Sequence, residues 1–174
     1  MILIITGTPG TGKSTVAEVL ARRRNFKLIR LSNLAQEAAS GYDEERESVE
    51  VDPERLFEVV RPLATGDVVI EGHLAHLLPF RGATVVVLRC APAELERRLR
   101  KKGFSEEKIR ENLEAEALDV CLIESIEMHS RVYEVDTSHL TPEQVAGCIA
   151  QILEGKGERF RPGKIDWSEE FFAQ

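Results

Sequence analysis

Residues 1–21 read MILIITGTPGTGKSTVAEVLA, and this stretch decides the fold. Met1 to Ile5 is a short apolar run without polar alternation, the pattern of a strand buried on both faces. The next eight residues, GTPGTGKS at 7–14, fill every fixed position of G-x-x-x-x-G-K-[ST]. From Thr15 on, apolar residues at 16, 17, 19 and 20 have helical spacing. Strand, glycine-rich turn and helix in that order form the context a phosphate loop requires.

The spacing has a chemical cause. Gly7, Gly10 and Gly12 open backbone angles closed to other residues, so main-chain N–H groups can approach a phosphate. With the positive end of the following helix they make an anion-binding hollow. Lys13 adds a mobile positive charge, and the Ser14 hydroxyl can ligate magnesium. The rival reading is a chance match in a glycine-rich turn. Two fixed glycines, a lysine and a serine directly after a strand argue against it. The stretch therefore points to a nucleoside triphosphate site.

The rest of the chain bounds this reading. At 174 residues, with 43% hydrophobic and 30% charged residues, it suits one α/β domain with a sizeable core. A net charge of −7 argues against non-specific nucleic-acid binding by the whole surface, though a local basic patch stays open. Cys90, Cys121 and Cys148 are odd in number and far apart, so no disulfide framework or cysteine zinc site is implied. No apolar run is long enough to cross a membrane, and no charged-then-apolar leader precedes the first strand. The expected compartment is the cytoplasm, or the nucleus where the cell has one.

In chain order, Arg22 to Arg24 suit the negative end of the first helix and Asn25 a left-handed cap, with a nucleic-acid contact as the alternative. Residues 26–31 read as a second strand, and Ser32 as the cap of a helix over 34–39 ending near Gly41. The stretch GYDEERESVEV at 41–51 reads as an exposed acidic excursion, either merely solvated or part of a second-substrate site. Pro53 opens a helix capped by Asp52. Residues 67–73 form a third strand that ends in Glu71-Gly72-His73. Ligands in open α/β sheets bind beyond the carboxyl ends of strands, so Glu71 is the candidate Walker-B acid for magnesium. His73, two residues on, is either structural or a group that orients or deprotonates an attacking water. His73 and His76 share a helical spacing, but no third ligand supports zinc.

Residues 84–89 are the fourth strand. A cation-rich helix from Glu94 to Lys101, a glycine hinge at Gly103 and a second helix capped by Ser105 resemble a small lid, with a solvated helix face as the rival. Apolar spacing over 107–129 gives one long helix or two broken ones, and 131–138 give strand five plus a turn. Thr141 and Pro142 open a last amphipathic helix. In the tail, 155–174, Trp167, Phe171 and Phe172 either pack back or meet a partner.

These parts in this order resemble the adenylate-kinase-like branch of P-loop kinases. More narrowly, they resemble the short-lid adenylate kinase/ATPase family that includes the coilin-interacting nuclear ATPase and its archaeal counterparts. The resemblance rests on GTPGTGKST at 7–15, GYDEE at 41–45, the acid-x-His at 71–73 and KKGFSEEKIRENLEAE at 101–116. It implies a three-layer sandwich with a five-stranded parallel sheet, and a P-loop kinase domain over 1–154. Within it, about 30–53 would bind the monophosphate and about 101–111 would be the lid. Gly10, Gly12, Lys13, Ser14 and Thr15 would hold ATP, Ser14 and Glu71 the magnesium ion, and Lys102 would be the lid cation. The implied activities are phosphoryl transfer from ATP to AMP or a related nucleoside monophosphate, and ATP hydrolysis. The implied partner is a small-subunit ribosomal protein, met during ribosome maturation, with a possible contact to pre-ribosomal RNA. An assembly ATPase with little kinase activity is the alternative, and its acidic 43–50 stretch or aromatic tail would meet the basic partner. The guanine motif N-K-x-D is absent, which ranks a signalling GTPase low.

Two departures matter. Ordinary adenylate kinases follow their third strand with D-G-x-P-R, where this chain reads Glu71-Gly72-His73-Leu74-Ala75. Gln36 stands where they carry another arginine. Two missing anion clamps weaken monophosphate binding and leave room for hydrolysis.

Overall fold

The computed structural model describes residues 1–43 and 48–173. Strand β1, Ile2–Thr6, is the middle of a five-stranded sheet. The other members are β2 (Lys27–Arg30), β5 (Val68–Glu71), β6 (Thr84–Arg89) and β7 (Val132–Asp136), in the order β2-β5-β1-β6-β7. Every pairing in it is parallel, with Ile5 opposite Glu71 on one side and Val86 on the other. The runs VVIE and TVVVLR are buried throughout, because helices cover both faces of the sheet.

Alternate side chains of β1 divide the core. Leu3 and Ile5 pack with Val16, Leu20 and Ile149 under α1 (Lys13–Arg24) and α6 (Pro142–Leu153). Ile4 faces the opposite layer, with Leu56 and Val60 of α2 (Pro53–Val60) and Leu122 of α5 (Val120–Met128). A third cluster joins Leu95 and Leu99 of α3 (Pro92–Lys101) to Ile109 and Leu113 of α4 (Glu106–Ala117). The expected three-layer sandwich is what forms, and it points the carboxyl ends of β1, β5 and β6 at one edge.

Local signals set most boundaries. Asp52 caps α2 by accepting from Glu54 N at 2.9 Å, and Thr141 with Gln144 forms a capping box on α6. Asn25 takes the left-handed conformation after α1, and Asp119, also left-handed, splits the 107–129 stretch into α4 and α5. Arg23 and Arg24 turn toward α6, donating to Glu143 O, Ala150 O and the Glu154 carboxylate, so their role is packing and capping.

The helix expected over 34–39 does not form. Leu34 N, Glu37 N and Ala39 N bond to carbonyls three residues back, giving a short 3-10 helix (Leu31–Asn33) and successive turns. Ala39 belongs instead to β3 (Ala39–Asp43), which takes the end of the segment into a strand pairing. That strand pairs antiparallel with β4 (Ser48–Val51), so the described parts of the stretch read as an exposed excursion form a strand pair. The acidic run at 43–50 falls partly at 44–47, which lie outside the described residues.

The tail packs back in part. Phe160 enters the core beside β7 and α6, and Phe171, from the short helix α7 (Ser168–Phe172), covers the α3–α4 cluster. Phe172 is left 66% exposed.

Candidate functional site

The loop between β1 and α1 is shaped by its glycines. A Cβ on Gly7 would stand 2.4 Å from Leu88 O, so nothing larger fits against β6. Gly12, at φ 95°, turns the chain into α1 through a conformation that side-chain-bearing residues avoid. Lys13, the first residue of α1, folds back so that Nζ donates to Gly7 O at 2.8 Å and Thr8 O at 2.9 Å. Its side chain is only 9% exposed. Burial lowers its pKa from 10.5 to about 8; Cys121, Glu71 and Glu116 pull it up while Lys102 pushes it down. A dry cation held against two carbonyls is under electrostatic tension that a bound anion relieves.

The carboxyl end of β5 supplies the acid. Glu71 is buried, with Oε1 3.2 Å from the exposed Ser14 hydroxyl and 3.6 Å from Arg30 Nε. A carboxylate and a hydroxyl side by side are oxygen ligands of the kind magnesium takes, with its remaining positions left to phosphate and water. Both residues named from the sequence as metal ligands thus share one spot. Arg30, at the end of β2, also pairs with Glu18 and was not anticipated.

His73 lines the same crevice as Lys13, Ser14 and Glu71. Desolvation, the Lys13 charge and His76 push its imidazole down to about 4. The ring sits among dense walls yet opens to solvent, and at pH 7 it is neutral. The sequence-based expectation of a group titrating near neutrality is corrected: His73 can orient a water or an acceptor by hydrogen bonding, but it is a poor proton acceptor. His76, by contrast, is buried and turned away, so the two rings do not converge on a metal.

Two crevices flank the loop. A separate hollow of about 940 Å³ lies against α2, lined by Phe57, Glu58, Leu77 and Met128, and does not include Lys13. The first flanking crevice, about 690 Å³, has Gly10, Gly12 and Thr15 on its floor, Lys101 and Lys102 on one wall and Leu140 and Val145 on the other. The second, about 190 Å³, runs from Lys13, Ser14 and Glu71 to Leu31, Ala35, Val51 and Leu56. Lys102 thus faces the loop, as expected, and acts on Lys13. The neighbouring arginines do not share that freedom. Arg97 and Arg98 are bonded to Glu94, Arg98 also to Thr137 O, and Arg100 to Glu96 and Glu106. These pairings stiffen α3 and its join to β7, while Arg97 and Arg98 line the same crevice as Lys101 and Lys102. Among the described residues, Lys101 and Lys102 form no ion pair.

One buried network was missed. Arg89, at the end of β6, pairs with Glu116 of α4 at 2.8 Å, with Glu134 of β7 at 3.0 Å, and with Asp119. Glu116 also accepts from the Thr8 hydroxyl of the loop at 2.5 Å and from Cys90 N at 3.1 Å. The signal was available: Glu116 occupies an inward position in the spacing 109, 113, 116, where a lone acid needs a buried partner. Glu134 in turn accepts from Lys164 N and Ile165 N, which ties the tail to this network.

Comparison with known proteins agrees with this architecture. A family model described as "AAA domain" matches residues 3–119. A protein of Archaeoglobus fulgidus called "Putative adenylate kinase" is 43% identical over 98% of this chain and 93% of its own. One of the same name from Pyrococcus abyssi is 43% identical over 97% and 92%. Among solved structures, shikimate kinase from Aquifex aeolicus aligns with a TM-score of 0.60 over 89% of this chain and 97% of its own, at 22% identity, a likeness of fold.

Proposed function

Because the chain belongs to the family of these archaeal adenylate-kinase relatives, we propose that it is an ATP-dependent nucleoside monophosphate kinase, with AMP as the leading acceptor. The observation that carries this is the pair of crevices on either side of one phosphate loop. A hydrolase needs one nucleotide site; a transferase needs a donor site and an acceptor site that meet. Here Gly10, Gly12 and Thr15 would cradle the donor polyphosphate through backbone N–H groups. Lys13, which lines the second crevice and directly follows Gly12 of the first, would meet the charge that develops during transfer. Ser14 and Glu71 would hold a magnesium ion, which supplies further neutralisation of the polyphosphate. Lys102 would approach from the short lid around 101–111, and neutral His73 would orient the acceptor by a hydrogen bond. Residues of about 30–53 would form the monophosphate-binding part.

ATP hydrolysis is a second reading, and the acceptor crevice itself favours it. Its far wall is Leu31, Ala35, Val51 and Leu56, and exposed Gln36 follows Ala35 in the chain. With Arg30 already paired to Glu18 and Glu71, a monophosphate there would lack an unengaged arginine and be held weakly, so water competes. In that setting a switch role in small ribosomal subunit maturation, with a small-subunit ribosomal protein as partner, is the corresponding biological proposal, and it rests on the family resemblance. The deciding measurement is ATP turnover with and without AMP, with ADP counted. Two ADP per ATP consumed, lost in Lys13→Ala, supports the kinase. Turnover indifferent to AMP, with one ADP and one phosphate per ATP, refutes it.

A further inference from the structure

The turn that carries His73 is held from below by three side chains that the proposed chemistry does not use. Thr6 Oγ1 lies 2.7 Å from His76 Nδ1, and His76 Nε2 lies 2.8 Å from Glu124 Oε2. Thr6 ends β1, His76 lies in a short 3-10 helix (Ala75–Leu77), and Glu124 is on α5, so the chain of contacts ties the sheet to the outer layer. His129, just past α5, donates through Nε2 to the His76 carbonyl at 2.8 Å. The Thr6 hydroxyl also stands 3.4 Å from the carbonyl oxygen of His73 itself.

Hydroxyl, imidazole and carboxylate in line is also the order of a nucleophilic triad. Thr6 is 0% exposed, so no substrate reaches it and that reading fails. A metal site fails too, because both ring nitrogens of His76 are engaged. What remains is mechanical. The Glu124 carboxylate accepts from Nε2–H, which fixes the tautomer and leaves Nδ1 to accept from Thr6. The charged and titratable groups facing the ring are Glu124 and His129 from the α5 side, Lys13 from α1 and His73 from the same turn. Burial holds the His76 pKa below its ordinary value despite Glu124. A neutral ring bonded at both nitrogens cannot swing. Residues 72–78 move with it, because Ala75 N bonds Gly72 O and Leu78 N bonds Ala75 O, both at 3.2 Å.

We propose that Thr6, His76 and Glu124 are positioning residues that set where His73 stands over Lys13 and Glu71. This deepens the phosphotransfer reading and rests on it. Thr6→Val removes the hydroxyl at nearly constant shape, and Thr6→Ser restores it. His76→Gln reaches toward Glu124 alone, whereas His76→Asn keeps an atom facing Thr6. Thr6→Val and His76→Gln are expected to lower kcat for ADP formation about tenfold, a typical result of sub-ångström misplacement, while KM for ATP stays unchanged. Thr6→Ser recovers most of the rate, whereas His76→Asn, which keeps the Thr6 contact but loses Glu124, recovers only part of it. In a His73→Ala background, Thr6→Val has no further effect, because it acts through the residue already removed. An equal loss in both backgrounds, or a raised KM with kcat intact, overturns the proposal. The His73 ring resonance, assigned by its disappearance in His73→Ala, gives a readout independent of activity. If Thr6→Val leaves that resonance unmoved, the positioning role is wrong whatever the kinetics. If it shifts in a protein that forms no ADP from AMP, the positioning role stands and the kinase reading falls.

Discussion

Raising the pH from 7 to 9.5 should weaken ADP binding about 30-fold, or ~2 kcal/mol, through Lys13 alone. The reasoning starts from its pKa of about 8 in the nucleotide-free site, set first by burial. The ammonium form is the one that grips phosphate, and a bound polyphosphate raises the pKa well above the working range. At pH 7 the side chain is about nine-tenths charged, and at pH 9.5 only about 3%, so binding must first protonate it. The same linkage predicts uptake of about 0.8 proton per ADP at pH 8.5, where the nucleotide's own phosphates are fully ionised. Titration calorimetry in two buffers of different ionisation enthalpy measures that uptake directly. Lys13→Arg, charged at every pH used, is expected to bind with a flat profile and no buffer-dependent heat. The sign for folding is opposite. A lysine whose folded pKa lies below its unfolded 10.5 makes the native state bind fewer protons between about pH 8 and 10.5. Stability of the free protein therefore rises across that window by up to ~3 kcal/mol relative to Lys13→Met. Affinity that is constant from pH 7 to 9.5, together with no proton uptake at pH 8.5, would show that Lys13 is neither dry nor the phosphate ligand.

Three further substitutions probe separate parts of the site. Glu71→Gln keeps the shape but removes the charge beside Ser14; ADP binding without magnesium should persist, while the stimulation of binding and turnover by magnesium drops at least tenfold in a metal titration. Gln36→Arg supplies a cation next to the acceptor crevice and should lower KM for AMP about tenfold with KM for ATP unchanged, as expected for one charge-assisted contact. Glu116→Ala strands the Arg89 guanidinium, the Thr8 hydroxyl and Cys90 N, and should cost roughly 3–5 kcal/mol in urea unfolding, with Glu116→Gln losing less.

The sheet, the phosphate loop and the pairing of Ser14 with Glu71 were legible because each rests on local chemistry. The strand runs 1–5 and 84–89 are uninterruptedly apolar, and the loop has fixed spacing. Glu71 sits at a strand end, where parallel topology forces ligands to gather. What was not legible depends on distant partners. The 34–39 segment has helical composition, yet Ala39 is claimed by a strand pairing that spacing alone does not announce. The α3 arginines looked free because their acids, Glu94 and Glu96, lie on the same helix, and charge counting cannot tell a paired face from a binding face. His73 was given an ordinary imidazole, since desolvation by the crevice and the nearness of Lys13 exist only after folding. Arg89 and Glu116 are 27 residues apart, and only the packing of α4 over β6 brings them together.

On the proposed reading, that network bears on whether a phosphoryl group would go to AMP or to water. Glu116 grips the loop at Thr8, belongs to the helix that follows the lid, and shares Arg89 with Glu134, which holds the tail at Lys164 and Ile165. The loop, the lid helix and the tail therefore cannot shift independently without unpairing a buried charge. A kinase with long mobile lids excludes water by closing over its substrates. On the proposed reading the lid would be the short segment of about 101–111, with Arg100 paired to Glu106 across its hinge, so exclusion would come from the crevice itself. The apolar wall of Leu31, Val51 and Leu56 serves that purpose for an acceptor that fills it, and a water alone gains nothing from the same wall. Filling that crevice, more than gripping a phosphate, is what should favour transfer over hydrolysis. Leu56→Ala is then expected to raise the ratio of phosphate to ADP produced at saturating AMP, and an unchanged ratio would place the selectivity elsewhere.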